Sequence, residues 1–408
     1  MQKMQYYIFF LFALLLSACT SNNKDTFDKN NLLGNWILVA HKDFPKETPK
    51  PNELIPPPII GIVKKSYVFL ENDSCINRIG YTKRLDWIKH TYYNPLFPNK
   101  TGIIYLGDKT IYQIVNDSLE IYNLSYNNWQ KYKILLLTKD TLRLSFNKEK
   151  ATVIETYARK TYSLDSSETY DEIIVSSSGC YGECPISNTL FTSNGNILYF
   201  GETYNYIDGF YTAKITPKTY QDIESRFKMA NISALNKNYY ADWTDDETVS
   251  VSFVRDHCIV KTVSDYGRQA PTEFIWAYTY ARYFHQNLQL TPFVSQNPYL
   301  PKLIKTIRRE DDYLRITDSE LFFLQTEILG GKMIANKSIE NTYSLLITND
   351  CSYKEMMFSD GRFFQISDQN DTLTIDIGYN FFVENNIVVK KPAFPFAVGA
   401  IKNSLFKK

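Results

Sequence analysis

Cys180-Tyr181-Gly182-Glu183-Cys184-Pro185 is the stretch of this 408-residue chain whose residue types and spacing best suit chemistry. Two thiols this close can close a local disulfide, because Gly182 between them relaxes the backbone and is expected at a positive φ. A five-residue closed loop adds about 2 kcal/mol in the chain-entropy picture. The same thiols can cycle as a redox couple if one has a lowered pKa, which takes a helix N-terminus or a neighbouring cation. The run after Pro185 reads as a strand, so no helix dipole is offered. Two thiolates also suit copper(I), a soft ion; Cys180, Cys184 and His257 would then be its ligands, His257 and His285 being the histidines of the same stretch. Idle thiols are the fourth option. The spacing leaves all four open, with the local disulfide as the first expectation.

Other constellations are weaker. Tyr240 to Glu247 carries Asp242, Asp245, Asp246 and Glu247. Clustered carboxylates can bind calcium, but the spacing lacks the EF-hand pattern and reads as a solvated loop. Ser176-Ser177-Ser178-Gly179 offers hydroxyls without a Gly-x-Ser-x-Gly elbow. No phosphate-binding loop, His-Glu-x-x-His or dinucleotide fingerprint is present. Four histidines leave few general bases. No catalytic residue and no cofactor is nominated, and an enzyme is the less favoured expectation. Lys+Arg 45 against Asp+Glu 44 leaves a formal charge of +1, so nothing points to nucleic acid as a partner. With Cys19 set aside for reasons below, five of the six cysteines remain, an odd number that leaves one thiol unpaired or shared with another chain.

The elements that must position these residues fall into three stretches, and the fold class expected is α+β. Residues 32–160 read as a β-rich barrel-like domain. Short strand-like runs follow one another, with Asn72-Asp73, Asn116-Asp117, Asn127-Asn128 and Lys139-Asp140 as turns. Pro45 to Pro58 is a proline-rich excursion. Residues 168–290 read as an α+β domain in the order β-β-β-α-β-β-α. Ser193-Asn194-Gly195 makes its hairpin. Thr216-Pro217 opens one helix, and a second starts at Pro271 with Phe274, Ala277, Tyr278, Ala281, Phe284 and Leu288 as its buried stripe. Helices on one face of an antiparallel sheet bury the apolar sides of both. Residues 298–408 read as an α+β segment, with Thr317-Asp318-Ser319-Glu320 as a helix-opening capping box and Gly330-Gly331 as its end.

Four resemblances add to this reading. Lys3, the apolar run from Tyr6 to Leu16 and Leu16-Ser17-Ala18-Cys19 resemble the signal and lipobox of bacterial lipoproteins. That resemblance implies a signal peptide over 1–18, a lipid on Cys19 and a tether over 19–31. Thr20, which is not aspartate, fits outer-membrane sorting; the leaflet face stays open. Cys180, Gly182, Cys184, Pro185, Gly195, Tyr199, Gly201, Gly209, Asp245, Lys261, Asp265-Tyr266 and Ala270-Pro271 together resemble a bacterial lipoprotein family known as domain of unknown function 6438, which implies a domain boundary and no activity. Gly34-x-Trp36 followed by a meander resembles lipocalin-like barrels, which implies about eight strands and room for one ligand. Cys-x-x-x-Cys-Pro resembles the motif of Sco-type copper chaperones, though those continue into a helix and this chain departs at Ile186. The function expected is a membrane-anchored lipoprotein of the cell envelope with a binding or structural role. Its partners would be the membrane, through the lipid on Cys19, and an envelope ligand or protein not yet identified. The alternative is thiol redox or copper(I) handling through Cys180 and Cys184. A third idea makes the N-terminal barrel a small apolar-ligand carrier.

Overall fold

The computed structural model describes residues 27–45, 64–84, 102–149, 151–165, 167–295, 303–310, 312–335, 337–348, 354–367 and 372–387. The signal, Cys19, the proline-rich excursion beyond Pro45 and Cys351 lie outside them. The chain divides into two compact units: one carries most of the barrel, and the other holds the described residues from Tyr162 onward together with residues 82–84 and 102–105.

The barrel is a closed, eight-stranded antiparallel meander: β1 (Gly34–Pro45), β2 (Ser66–Phe69), β3 (Ser74–Arg84), β4 (Ile103–Val115), β5 (Ser118–Asn123), β6 (Asn128–Leu137), β7 (Thr141–Asn147) and β8 (Ala151–Arg159). β8 closes on β1, from Trp36↔Arg159 to Pro45↔Ala151, with a bulge between Leu38 and Ala40. The tight turns are local chemistry: Asp73, Asn116 and Asn127 take positive φ, which short polar side chains tolerate. Alternating residues point inward. Trp36, Phe69, Tyr112 and Tyr157 are fully buried. Leu32 and Trp36 plug the end where β1 begins, the Trp36 indole donating to the Leu32 carbonyl at 2.6 Å.

The second unit contains two sheets. The first is built from β9 (Glu172–Ser177), β10 (Ile186–Thr192), β11 (Asn196–Thr203), β12 (Gly209–Lys214), β13 (Asn238–Tyr240), β14 (Thr248–Arg255), β15 (Cys258–Tyr266) and β16 (Thr291–Pro292), in the spatial order β13-β15-β14-β9-β10-β11-β12-β16. It is antiparallel except for the parallel β13–β15 edge pair. Helices α1 (Pro217–Lys228) and α2 (Thr272–Tyr283) cover one face. Thr216 caps α1 through the Thr219 N–H. The observed order, β-β-β-β-α-β-β-β-α, has two strands more than the sequence pattern suggests. β12 is half-buried along nearly its whole length, so no alternation marks it, and β13 has three residues.

The second sheet holds β17 (Leu303–Arg309), β18 (Asp312–Tyr313), β19 (Lys332–Ile334), β20 (Tyr343–Thr348), β21 (Lys354–Ser359), β22 (Phe363–Ser367) and β23 (Thr372–Asp376), in the order β18-β17-β20-β21-β22-β23-β19. Between the two sheets runs α3 (Asp318–Gly330), opened by a complete Thr317/Glu320 capping box; the short α4 (Phe381–Glu384) follows β23. Phe322, Phe323 and Leu324 join Ile174 and Leu190 of one sheet to Leu345, Ile347 and Met357 of the other in a single core. A helix buried on both sides must be apolar nearly all round, and α3 is.

Candidate functional site

Cys180 and Cys184 are joined by a disulfide, with Cα atoms 5.6 Å apart. They sit in the loop from β9 to β10. Gly182 has φ +152°, a region a side chain would strain, and its N–H donates to the Cys180 carbonyl at 2.9 Å. Both cysteines are half-buried, and Tyr181 at the loop tip is 89% exposed.

Behind the loop lies a buried polar hub centred on Pro185, the residue after the disulfide. Its carbonyl accepts from the Ser177 hydroxyl at 2.9 Å and from Arg282 of α2 at 2.5 Å. The other arm of the Arg282 guanidinium donates to Glu247 at 2.7 Å, and Arg268 stands 3.4 Å from the same carboxylate. Arg282 and Glu247 are both almost fully buried, so each supplies the counter-charge the other needs. Asp265 accepts from the N–H groups of Gln269 and Ala270 and from the Tyr278 hydroxyl, fixing the turn that starts α2. One residue of the presumed solvated acidic loop is therefore placed otherwise: Asp242 and Asp245 are exposed, but Glu247 is interior, because the strand that follows pulls it under α2.

His257 is not brought to the cysteines. It occupies the β14–β15 turn at φ +60°, 3.4 Å from Glu327 of α3. β14 pairs Val254 with Glu172 and Val249 with Ser177, so His257 and the Cys180 loop leave opposite ends of β9. At about 3.3 Å per residue, the six residues of β9 hold them roughly 17 Å or more apart. The set Cys180, Cys184 and His257 thus does not assemble. Among the described residues no group of three or more His, Cys, Asp or Glu side chains is placed to hold a metal ion. His285 stacks on Tyr199 at 4.0 Å, and burial pushes its pKa down to about 4, so it stands neutral. Cys75 is buried in the barrel, and burial pushes its thiol up to about 12, which makes it inert; Cys258 is free and half-buried.

A second site carries no sequence motif. The barrel end opposite the Leu32–Trp36 plug opens as a cup of about 570 Å³. Aromatic rings wall it: Tyr67, Tyr81, Tyr126, Tyr132 and Phe146. Amide side chains alternate with them: Asn77, Asn123, Gln130 and Asn147. Lys65 at the mouth reaches Glu155 at 2.7 Å; that carboxylate is fully buried and also accepts from the Tyr157 hydroxyl at 2.7 Å. Burial raises the Tyr67 and Tyr81 pKa values and pushes Tyr132 up to about 12, so the phenols remain neutral donors. The lining is mixed, with Ile79 and the aromatic rings beside the amides and the two lysines, Lys65 and Lys131. The cup escapes sequence reading because its residues come from five strands, β2, β3, β5, β6 and β7, and the period-two alternation within each strand does not say which end of the barrel stays open. The excess of tyrosine, 31 residues, was the one available signal.

Residues 171–285 match the family model described as Domain of unknown function (DUF6438). The disulfide loop, the Glu247–Arg282 pair and the Asp265 turn all fall inside that stretch. No curated protein and no solved structure matches the chain.

Proposed function

We propose, from a chain that carries a DUF6438 domain over residues 171–285, that this protein is a lipid-anchored binding protein of the cell envelope. Cys19 carries the lipid, Thr20 directs sorting to the outer membrane, and the barrel, lipocalin-like in its meander, takes a ligand in its open cup. The observation that carries the binding role is that cup: a closed barrel plugged at one end and hollow at the other, within the size range of small-molecule sites. The DUF6438 domain acts as scaffold. Its disulfide ties the β9–β10 loop above a hub in which Arg282 joins the Pro185 carbonyl to Glu247. The anchoring half is tested by feeding labelled palmitate to cells making the full chain. Label in the membrane fraction, lost in Cys19→Ala, is the expected result; unlabelled, freely soluble full chain refutes it.

A second reading, thiol redox or copper(I) handling, draws on the half-buried position of both bonded cysteines. Against it, Arg282, the cation that donates to the carbonyl of Pro185 beside Cys184, is committed to that carbonyl and to Glu247. Alkylation without reduction, peptide mapping and metal analysis on one sample separate the two. A bridge that resists mild reductant, with no copper, supports the staple. Ready reduction, or about one copper per chain, moves the function to the thiols.

A further inference from the structure

We infer that the barrel cup is a saccharide site, built for the neutral, hydroxyl-bearing end of a glycan; this rests on the binding reading above and names its ligand class. Three amides set the chemistry. The Asn123 carbonyl oxygen accepts from the N–H groups of Ser125 and Tyr126 at 2.8 and 3.2 Å. The Gln130 oxygen accepts from the Tyr132 hydroxyl at 2.9 Å, and the Asn147 oxygen from the Thr152 hydroxyl at 3.0 Å. In each case the protein holds the oxygen and leaves the NH₂ group as a donor without a partner among the described residues. Asn123 and Gln130 are half-buried and Asn147 is exposed, so these oriented donors face water that ligand acceptors such as hydroxyl and acetamido oxygens can replace.

Charge selects within that class. Lys65 is held by Glu155, and Lys131 lies 3.6 Å from Glu120, so the ammonium groups at the mouth already have carboxylate partners. An anionic ligand would need cations free to receive it. The rings complete the match. Tyr126 stands at the rim, 72% exposed, while Tyr132 and Phe146 pack edge to face at 5.3 Å. An aromatic face offers a flat apolar surface beside a polar tip, which suits the C–H face of a pyranose ring better than an acyl chain, for which aliphatic walls serve.

The test uses the full chain reconstituted in lipid nanodiscs. It is applied to an array of neutral and acidic oligosaccharides, and the same preparation is titrated with a fluorescent fatty acid. Neutral glycans should bind, and Gln130→Glu, which keeps the oxygen that accepts from Tyr132 and removes the NH₂ donor, and Tyr126→Ala should each weaken that binding about tenfold, the loss of one ligand contact, while melting at the wild-type temperature. Binding to acidic glycans alone overturns the neutral class. Neutral binding that both variants leave unchanged overturns the cup as the site. Fatty-acid binding without any glycan overturns the saccharide inference and leaves the binding role standing. No binding of either probe removes both.

Discussion

Glu172, the first residue of β9, shows what burial does to a single group. It faces Glu327 of α3, and one of its carboxylate oxygens is buried without a hydrogen-bond partner. Burial first, then the Glu327 charge, pushes its pKa from 4.5 up to about 7, with His257 pulling the other way. Between those two values the folded chain keeps a proton that the unfolded chain has lost. Stability from this group therefore falls as pH rises from about 4.5 to 7 and is level above. Glu172→Gln should remove the slope and leave the variant more stable than wild type at pH 8 by about 3 kcal/mol, the two converging near pH 4.5. Urea melts across that range check it; parallel curves refute it. None of this was legible in the chain, where Glu172 reads as an ordinary strand-opening acid. The cysteine loop was the opposite case: Cys180, Gly182 and Cys184 announced their geometry because a local closure depends on spacing within five residues. Glu247 and Arg282 were hidden because their pairing spans 35 residues and sets a loop acid against a residue on a helix.

The elements follow the same division. Thr317 and Glu320 wrote the start of α3 into the sequence, and both halves of the capping box form. Thr317→Ala should cost about 1 kcal/mol, read as a lower urea midpoint with an unchanged slope. A loss near zero would mean that the tertiary contacts of the first turn suffice. Those contacts were not legible. Ser250 and Ser252 alternate with Val249, Val251 and Phe253 on β14, a pattern that describes one dry and one wet face. The serine face is instead covered by α3. Ser250 accepts from the Ser319 N–H at 3.0 Å, and the Ser252 and Ser319 hydroxyls meet at 2.8 Å. Hydroxyls that satisfy one another can be buried at little cost, so polarity alone does not mark a solvent face. β12 and β13 were missed for a simpler reason, having neither alternation nor length.

At the scale of the molecule, α3 makes the two sheets of the second unit one cooperative body. Phe323 is fully buried and belongs to the core that reaches from Ile174 to Met357. Phe323→Ala should cost about 3–5 kcal/mol and strip amide protection from β9 and β20 together. Loss confined to one sheet would show that they open separately. The barrel was legible in outline, since each strand pairs with the next and the turns lie in the sequence between them. That same ordering has a consequence for assembly. As the chain emerges N-terminus first, the barrel can close once β8 is out, because all its partners have already appeared. β9 has no such luck: one neighbour, β10, follows at once, but the other, β14, begins 70 residues after Ser177 counting to Glu247. Throughout that interval a strand reading Glu-Ile-Ile-Val-Ser-Ser presents an open, apolar edge. Such edges recruit other chains, so this interval is when the emerging chain most needs a chaperone at hand.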